Sequence, residues 1–163
     1  SGNLDISGAL TVNGSPVGGG GSPIGFRVYP HTNSSAPRQL IWTGVVWNSN
    51  IYSTTTGKWT IAVAGTYYMN VRLSCFTPHT ITGYINTSLN RIRGGVTTNQ
   101  ARGLVGYITA GQSETRYQYA SIYIIIECAV GDVFYQYLSG SNMGTIQTAN
   151  QSYDSQINVI KLG

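Results

Sequence analysis

Acid–base, nucleophilic and metal chemistry each need particular side chains held close together, and this chain supplies few of them. Its five carboxylates are Asp5, Glu114, Glu127, Asp132 and Asp154, its histidines are His31 and His79, and its thiols are Cys75 and Cys128. No G-x-S-x-G elbow, H-E-x-x-H pair or phosphate-cradling glycine motif occurs among them. No two carboxylates stand as a hydrolytic acid and base would need. Asp132 follows Val130-Gly131 in a turn, where a carboxylate accepts hydrogen bonds from local backbone, so its expected role is structural. Calcium would need several clustered oxygen ligands and zinc more cysteine or clustered histidine. The chain therefore reads as non-enzymatic, with no cofactor. Cys75 and Cys128 read as two buried thiols acting as small hydrophobes or as a single bridge.

What remains is hydrogen-bonding and aromatic chemistry. Charged residues make up 9% of the chain, against roughly 25% in an average globular protein, so solubility rests on amides and hydroxyls. The net charge of +4 arises from scarce acids, and its basic residues are scattered apart from Arg91, Arg93 and Arg102. That is not the clustered pattern of a nucleic-acid binder. No apolar run approaches the ~20 residues that span a bilayer, so membrane insertion is not expected; no signal-peptide pattern is present. Binding residues concentrate in loops carried by a rigid scaffold, which here means residues 30–37, 77–82, 91–102 and 139–151. Asn142, Gln147 and Asn150 in the last of these suit saccharide hydroxyls, while Arg91, Arg93 and Arg102 suit anionic groups on a cell envelope. Plain solvated loop is the alternative for all of them. Trp42, Trp47 and Trp59 could stack on sugar rings or pack in a core.

The elements that must position these residues are strands throughout. Between residues 58 and 63, Trp59, Ile61 and Val63 alternate with polar or small residues; between 66 and 74, Tyr67, Met69, Val71 and Leu73 do the same, and Ala64-Gly65 between them suggests a hairpin. Further strands are expected over residues 25–29, 39–47, 83–92, 104–109, 116–129, 133–138 and 156–162, with a loop over 94–100. No helix is expected, and many short strands bounded by Gly, Pro and Asn argue for a sandwich or jelly roll. In the long strand Ala120, Ile122, Ile124, Ile126 and Cys128 face one way, and Tyr117, Tyr119, Ser121, Tyr123 and Ile125 the other. Val133, Tyr135 and Tyr137 repeat the second kind of face on the next strand. Aromatic residues with a polar tip are favoured at interfaces, so Tyr117, Tyr119, Tyr123, Val133, Tyr135 and Tyr137 are the candidate contacts with other copies of the chain. The alternative is ordinary exposed tyrosine.

Residues 3–14 repeat with a period of six, Asn3-Leu4-Asp5-Ile6-Ser7-Gly8 and then Ala9-Leu10-Thr11-Val12-Asn13-Gly14. Two such units bury too little apolar surface to order alone, and several chains winding them about one axis would supply the partners. The pattern resembles the shafts of phage tail and head fibres, which makes residues 1–14 the end of a stem and suggests that the chain is a fragment. Residues 15–23, with four consecutive glycines, read as a flexible stem-to-head joint or as an added linker. The head is residues 24–163.

The run Leu40-Ile41-Trp42-Thr43-Gly44-Val45-Val46-Trp47-Asn48, then Tyr52, Thr56-Gly57-Lys58-Trp59-Thr60 and Ala64-Gly65-Thr66-Tyr67-Tyr68-Met69 resembles, in order and spacing, the globular C1q head, a branch of the jelly-roll superfamily that includes tumour necrosis factor. Gly131-Asp132-Val133-Phe134 resembles the Gly-Asp turn of the same family. Ala64 stands where that family has Pro, Met69 where it has Phe, and Ile157-Asn158-Val159-Ile160 lacks its closing aromatic-glycine signature. The resemblance implies an all-β, ten-strand, two-sheet jelly-roll sandwich that assembles as a homotrimer without catalysis; it puts Trp42, Trp47 and Trp59 at positions that are usually core, which implies packing rather than sugar stacking, and it names no ligand. Together with the stem, it leads to the expectation of a bacteriophage fibre tip or decoration domain. Such a domain would act on the virion, outside the cell, to attach it to a host cell-surface saccharide or protein. A structural trimerisation cap, and the head of a bacterial surface or spore-coat protein, are the alternatives.

Overall fold

The computed structural model describes residues 11–12, 15–16, 23–29, 38–77, 83–108, 116–141, 147–148 and 155–162. Their strands are β1 Thr11–Val12, β2 Ser15–Pro16, β3 Gly25–Tyr29, β4 Arg38–Gln39, β5 Gly44–Asn48, β6 Lys58–Thr60, β7 Gly65–Thr77, β8 Gly83–Arg93, β9 Val96–Ile108, β10 Arg116–Cys128, β11 Val133–Ser141, β12 Gln147–Thr148 and β13 Gln156–Lys161. No helix occurs among the described residues. Alternation with period two explains them: in β7, Tyr67, Met69, Val71 and Leu73 are buried while Tyr68, Asn70 and Arg72 are half-buried, as in a strand with one face on a core.

The strands form an antiparallel jelly-roll sandwich. One sheet has six strands in the order β10-β7-β13-β3-β5 with β12 beside β7; the other has five in the order β4-β11-β8-β9 with β6 beside β11. The ten strands expected are thus exceeded by one. Between the sheets Phe26 stacks on Tyr52 with centroids 4.8 Å apart, meets Trp59 edge-on at 5.4 Å, and Trp59 stacks on Phe134 at 5.9 Å. This aromatic column ties β3 of one sheet to β6 and β11 of the other, and each such ring pair contributes about 0.5–1.5 kcal/mol beyond its buried area.

Four expectations are corrected. The hairpin over residues 58–74 does not form, because β6 pairs with β11 and β7 with β10 and β13, so residues 61–64 carry the chain from one sheet to the other. Trp59 and Ile61 remain buried as expected, but Val63, beyond the end of β6, is 43% exposed. The strand over 39–47 is two strands, β4 in the smaller sheet and β5 in the larger, with 40–43 crossing between them. The loop over 94–100 shrinks to a tight turn at Gly94-Gly95, both with positive φ, and β9 begins at Val96. Finally, β10 and β11 are consecutive but lie in different sheets, so the turn through Val130-Gly131 is also a crossing.

The closing segment pairs on both sides: β13 lies between β7 and β3. At the other end β1 and β2 pair with each other, so Ser15 and Pro16, expected in the joint, are part of a two-stranded ribbon. Residues 1–10 of the expected stem lie outside the described residues.

Candidate functional site

The candidate interface residues do not share one surface. Ala120, Ile122 and Cys128 of β10 are buried between the sheets, which sends Tyr123 and Ile125 outward from the six-stranded sheet, where they are 62% and 66% exposed. Tyr117 and Tyr119 hold the same parity in β10, opposite Phe76 and Ser74 of β7. Phe134, Gln136 and Leu138 of β11 are buried from the other side, so Val133, Tyr135 and Tyr137 face outward from the five-stranded sheet. Tyr123 and Ile125 therefore point away from Val133, Tyr135 and Tyr137.

The outer face of the six-stranded sheet is amphipathic. Tyr123, Asn70, Asn158, Arg27 and Trp47 stand side by side across β10, β7, β13, β3 and β5, and Ile125, Tyr68 and Ile160 form the adjoining row. Trp47 is half-buried on this face, over Gly25, where a Cβ would come within 2.8 Å of its ring; the core assignment holds for Trp42 and Trp59. At the bulge next to Trp47, exposed Val46 extends the apolar area along the edge strand β5, whereas Val45, opposite buried Val28, has the parity of the core.

The outer face of the five-stranded sheet is a polar groove of about 410 Å³ lined by Tyr84, Asn86, Ser88, Asn90, Asn99, Arg102, Tyr135, Tyr137 and Ser139. Register explains it. Tyr137, Ser88 and Arg102 are directly opposite one another on β11, β8 and β9, as are Tyr135, Asn90 and Asn99. Short Ser88 on the middle strand thus lies between the longer Tyr137 and Arg102 on its neighbours. Asn99 Nδ2 donates to Asn90 Oδ1 at 3.1 Å and Asn90 Nδ2 to Ser88 Oγ at 3.2 Å, which fixes the amides across the floor. On the far side of β11, the Lys58 ammonium lies 5.8 Å from the centroid of the Tyr135 ring, within cation–π range.

The three arginines expected to act together are separated. All lie on strands rather than in a loop: Arg91 and Arg93 on β8 with the parity of buried Thr87 and Leu89, Arg102 on β9 with the opposite parity. Arg93 Nε donates to Asp132 Oδ1 at 2.6 Å and a second guanidinium nitrogen to Oδ2, and Asp132 also accepts from the Ala129 backbone at 2.9 Å. The Arg93 hydrogen bond holds the Asp132 carboxyl below its ordinary range. Cys128 next to this pair is a free, buried thiol, pushed up to about 11 first by burial and then by the Asp132 carboxylate. The bridge reading for Cys128 therefore falls, and Asp132 has the structural turn role expected of it, with an arginine partner that its local sequence did not show.

Gln147 takes part in β12, opposite Phe76, whereas Asn142 and Asn150 lie outside the described residues, as do His31, His79 and most of the loops over 30–37, 77–82 and 139–151. Among the described residues no three His, Cys, Asp or Glu side chains lie close enough to hold a metal ion.

No family model and no curated protein matches the chain. Among solved structures it is similar to murine APRIL at pH 5.0, with a TM-score of 0.66 and 11% identity over 86% of this chain and 100% of that one. It is also similar to Eiger TNF from S. frugiperda, with a TM-score of 0.66 and 13% identity over 86% of this chain and 93% of that one. At such low identity the likeness concerns the fold alone, and what it establishes is a jelly-roll sandwich of the tumour necrosis factor type.

Proposed function

We propose that residues 24–163 are the homotrimeric tip or decoration domain of a bacteriophage fibre, which attaches the virion to its host by contact with a cell-surface saccharide. The observation that carries this reading is the division of labour between the two outer faces. The six-stranded sheet turns Tyr123 and Ile125 outward, with exposed Val46 at its β5 edge, a surface suited to other copies of the chain. The five-stranded sheet turns outward a polar, tyrosine-bearing groove. Support for the trimer comes from the fold type, and support for the fibre from the six-residue repeat over 3–14. Three copies place three grooves on one particle, so that weak single contacts add at high effective concentration.

Sedimentation of the chain and adsorption of the labelled chain to a panel of bacterial cells test the reading. The expected result is a three-chain mass that falls to one chain in Ile125→Glu, with adsorption in the trimer and little in the variant. A monomer would overturn the assembly. A trimer that adsorbs to no cell would instead favour a structural cap that only registers the stem.

A further inference from the structure

Taking the attachment reading as its starting point, the geometry points to a saccharide of one chemical class in the groove of the five-stranded sheet: an acidic sugar chain whose carboxylate meets Arg102. None of the residues lining the groove is a carboxylate, and Arg102 is its one cation. Among the described residues no acidic group pairs with Arg102, which is exposed; Arg93, by contrast, is held by Asp132. A planar guanidinium matches a planar carboxylate through two parallel hydrogen bonds.

The rest of the groove suits the sugar to which such a carboxylate belongs. Arg102 and Tyr137 flank Ser88 in one row, two strand spacings or about 10 Å apart, so an acidic group at one wall leaves the adjoining sugar ring over the tyrosine at the other. Tyrosine offers an apolar ring face and a hydrogen-bonding tip. Asn90 and Asn99, tied to each other at 3.1 Å, keep further amide donor and acceptor positions for hydroxyl groups. The groove is open rather than enclosed, and its middle strand β8 is paired on both sides, with β11 and with the edge strand β9, so little ordering is needed on binding. Lys58, over the Tyr135 ring, adds a second positive charge beside the groove, and among the described residues neither charge is paired with an acid.

The test uses the full chain with uronate-containing tetrasaccharides, their carboxyl-reduced counterparts, and the variants Arg102→Gln and Tyr137→Ala, each checked for an unchanged oligomeric state and unfolding transition. The expected result is preferential binding of the acidic probes, lost in Arg102→Gln by about tenfold or more, while Tyr137→Ala weakens acidic and reduced probes alike. Equal binding of acidic and reduced probes would overturn the acidic class. Binding unchanged in both variants, or no binding of any probe at millimolar concentration, would overturn the groove. Adsorption to cells that survives Arg102→Gln leaves the attachment reading standing and this inference fallen; acidic-probe binding without adsorption to any cell does the reverse.

Discussion

Tyr52 and Trp42 exchange two hydrogen bonds in the interior: the Trp42 backbone N–H donates to the Tyr52 hydroxyl at 2.8 Å, and the same hydroxyl donates to the Trp42 carbonyl at 3.0 Å. Trp42 lies in the crossing between β4 and β5, outside any ladder, so its backbone groups find this side chain in place of a neighbouring strand. Burial raises the Tyr52 pKa, which keeps the hydroxyl a donor as well as an acceptor. Tyr52→Phe strands both groups in the core and is expected to cost about 1–3 kcal/mol. A chemical denaturation midpoint that does not move would contradict this.

The Arg93–Asp132 pair predicts an acid-sensitive component of stability. Asp132 is 1% exposed and its pKa is lowered from the ordinary 3.8 by Arg93. The folded state thus favours the carboxylate, so the contribution is present above pH 3.8 and is lost as the pH falls below it through the folded value. Asp132→Asn should flatten the stability curve over that acid range and lower stability at pH 7 by about 1–3 kcal/mol, with half-exposed Arg93 limiting the cost. Denaturation series from pH 2 to pH 7 on both proteins decide it.

Cys128 predicts the opposite slope. Its thiol titrates at about 11 rather than the ordinary 9.0, so folding favours the protonated form and this component of stability falls as the pH rises from 9.0 past 11. Below pH 9.0 the folded protein therefore holds less Cys128 thiolate than the unfolded chain, and the thiolate is the reactive form. In a Cys75→Ser background, Ellman's reagent should react slowly with the native protein and quickly in denaturant. Equal rates would refute the buried setting.

Gly57 and Gly94 make a matched pair. Both have positive φ, +65° and +57°, but a Cβ on Gly57 would stand 2.4 Å from the Leu40 carbonyl oxygen, whereas one on Gly94 meets nothing within 4 Å. Gly94→Ala should cost only the left-handed backbone penalty, about 1–2 kcal/mol. Gly57→Ala adds a backbone clash at the crossing and should cost more. Thermal unfolding of the two variants provides the comparison, and the reverse order would show that the crossing yields more easily than its contacts imply.

Much of the fold was legible because alternation reports a buried face. It placed β7, β10 and β13 and named the core-facing residues of β7 and β10. Alternation does not report which of two sheets a strand joins. Leu40 and Trp42 are buried and Ile41 and Thr43 exposed, so the pattern runs unbroken through a crossing that has no ladder, and the segment reads as one strand. The supposed hairpin over 58–74 failed for the same reason. The resemblance to the C1q head gave the sandwich correctly, and it includes Asn48, whose side-chain oxygen accepts from the backbone of Ile51 and Tyr52 at 3.1 and 3.2 Å. The groove was half visible: Arg102, Tyr135 and Tyr137 were singled out, but for different roles. Their meeting depends on the register of three strands, which places Ser88 between Tyr137 and Arg102, and no local pattern encodes that. The Arg93–Asp132 pair spans 39 positions and was illegible in the same way.

The placement of β13 beside β3 has a mechanical consequence. Ile160 lies opposite Gly25, and the Lys161 N–H donates to the Ile24 carbonyl at 2.9 Å, so the chain enters β3 at Ile24 and leaves β13 at Lys161 on the same pole of the sandwich. Tension applied between those ends would open the β3–β13 ladder rung by rung, like a zip, whereas a load shared by many strands would have to shear them together. A tether at one end alone puts no such strain on the seam.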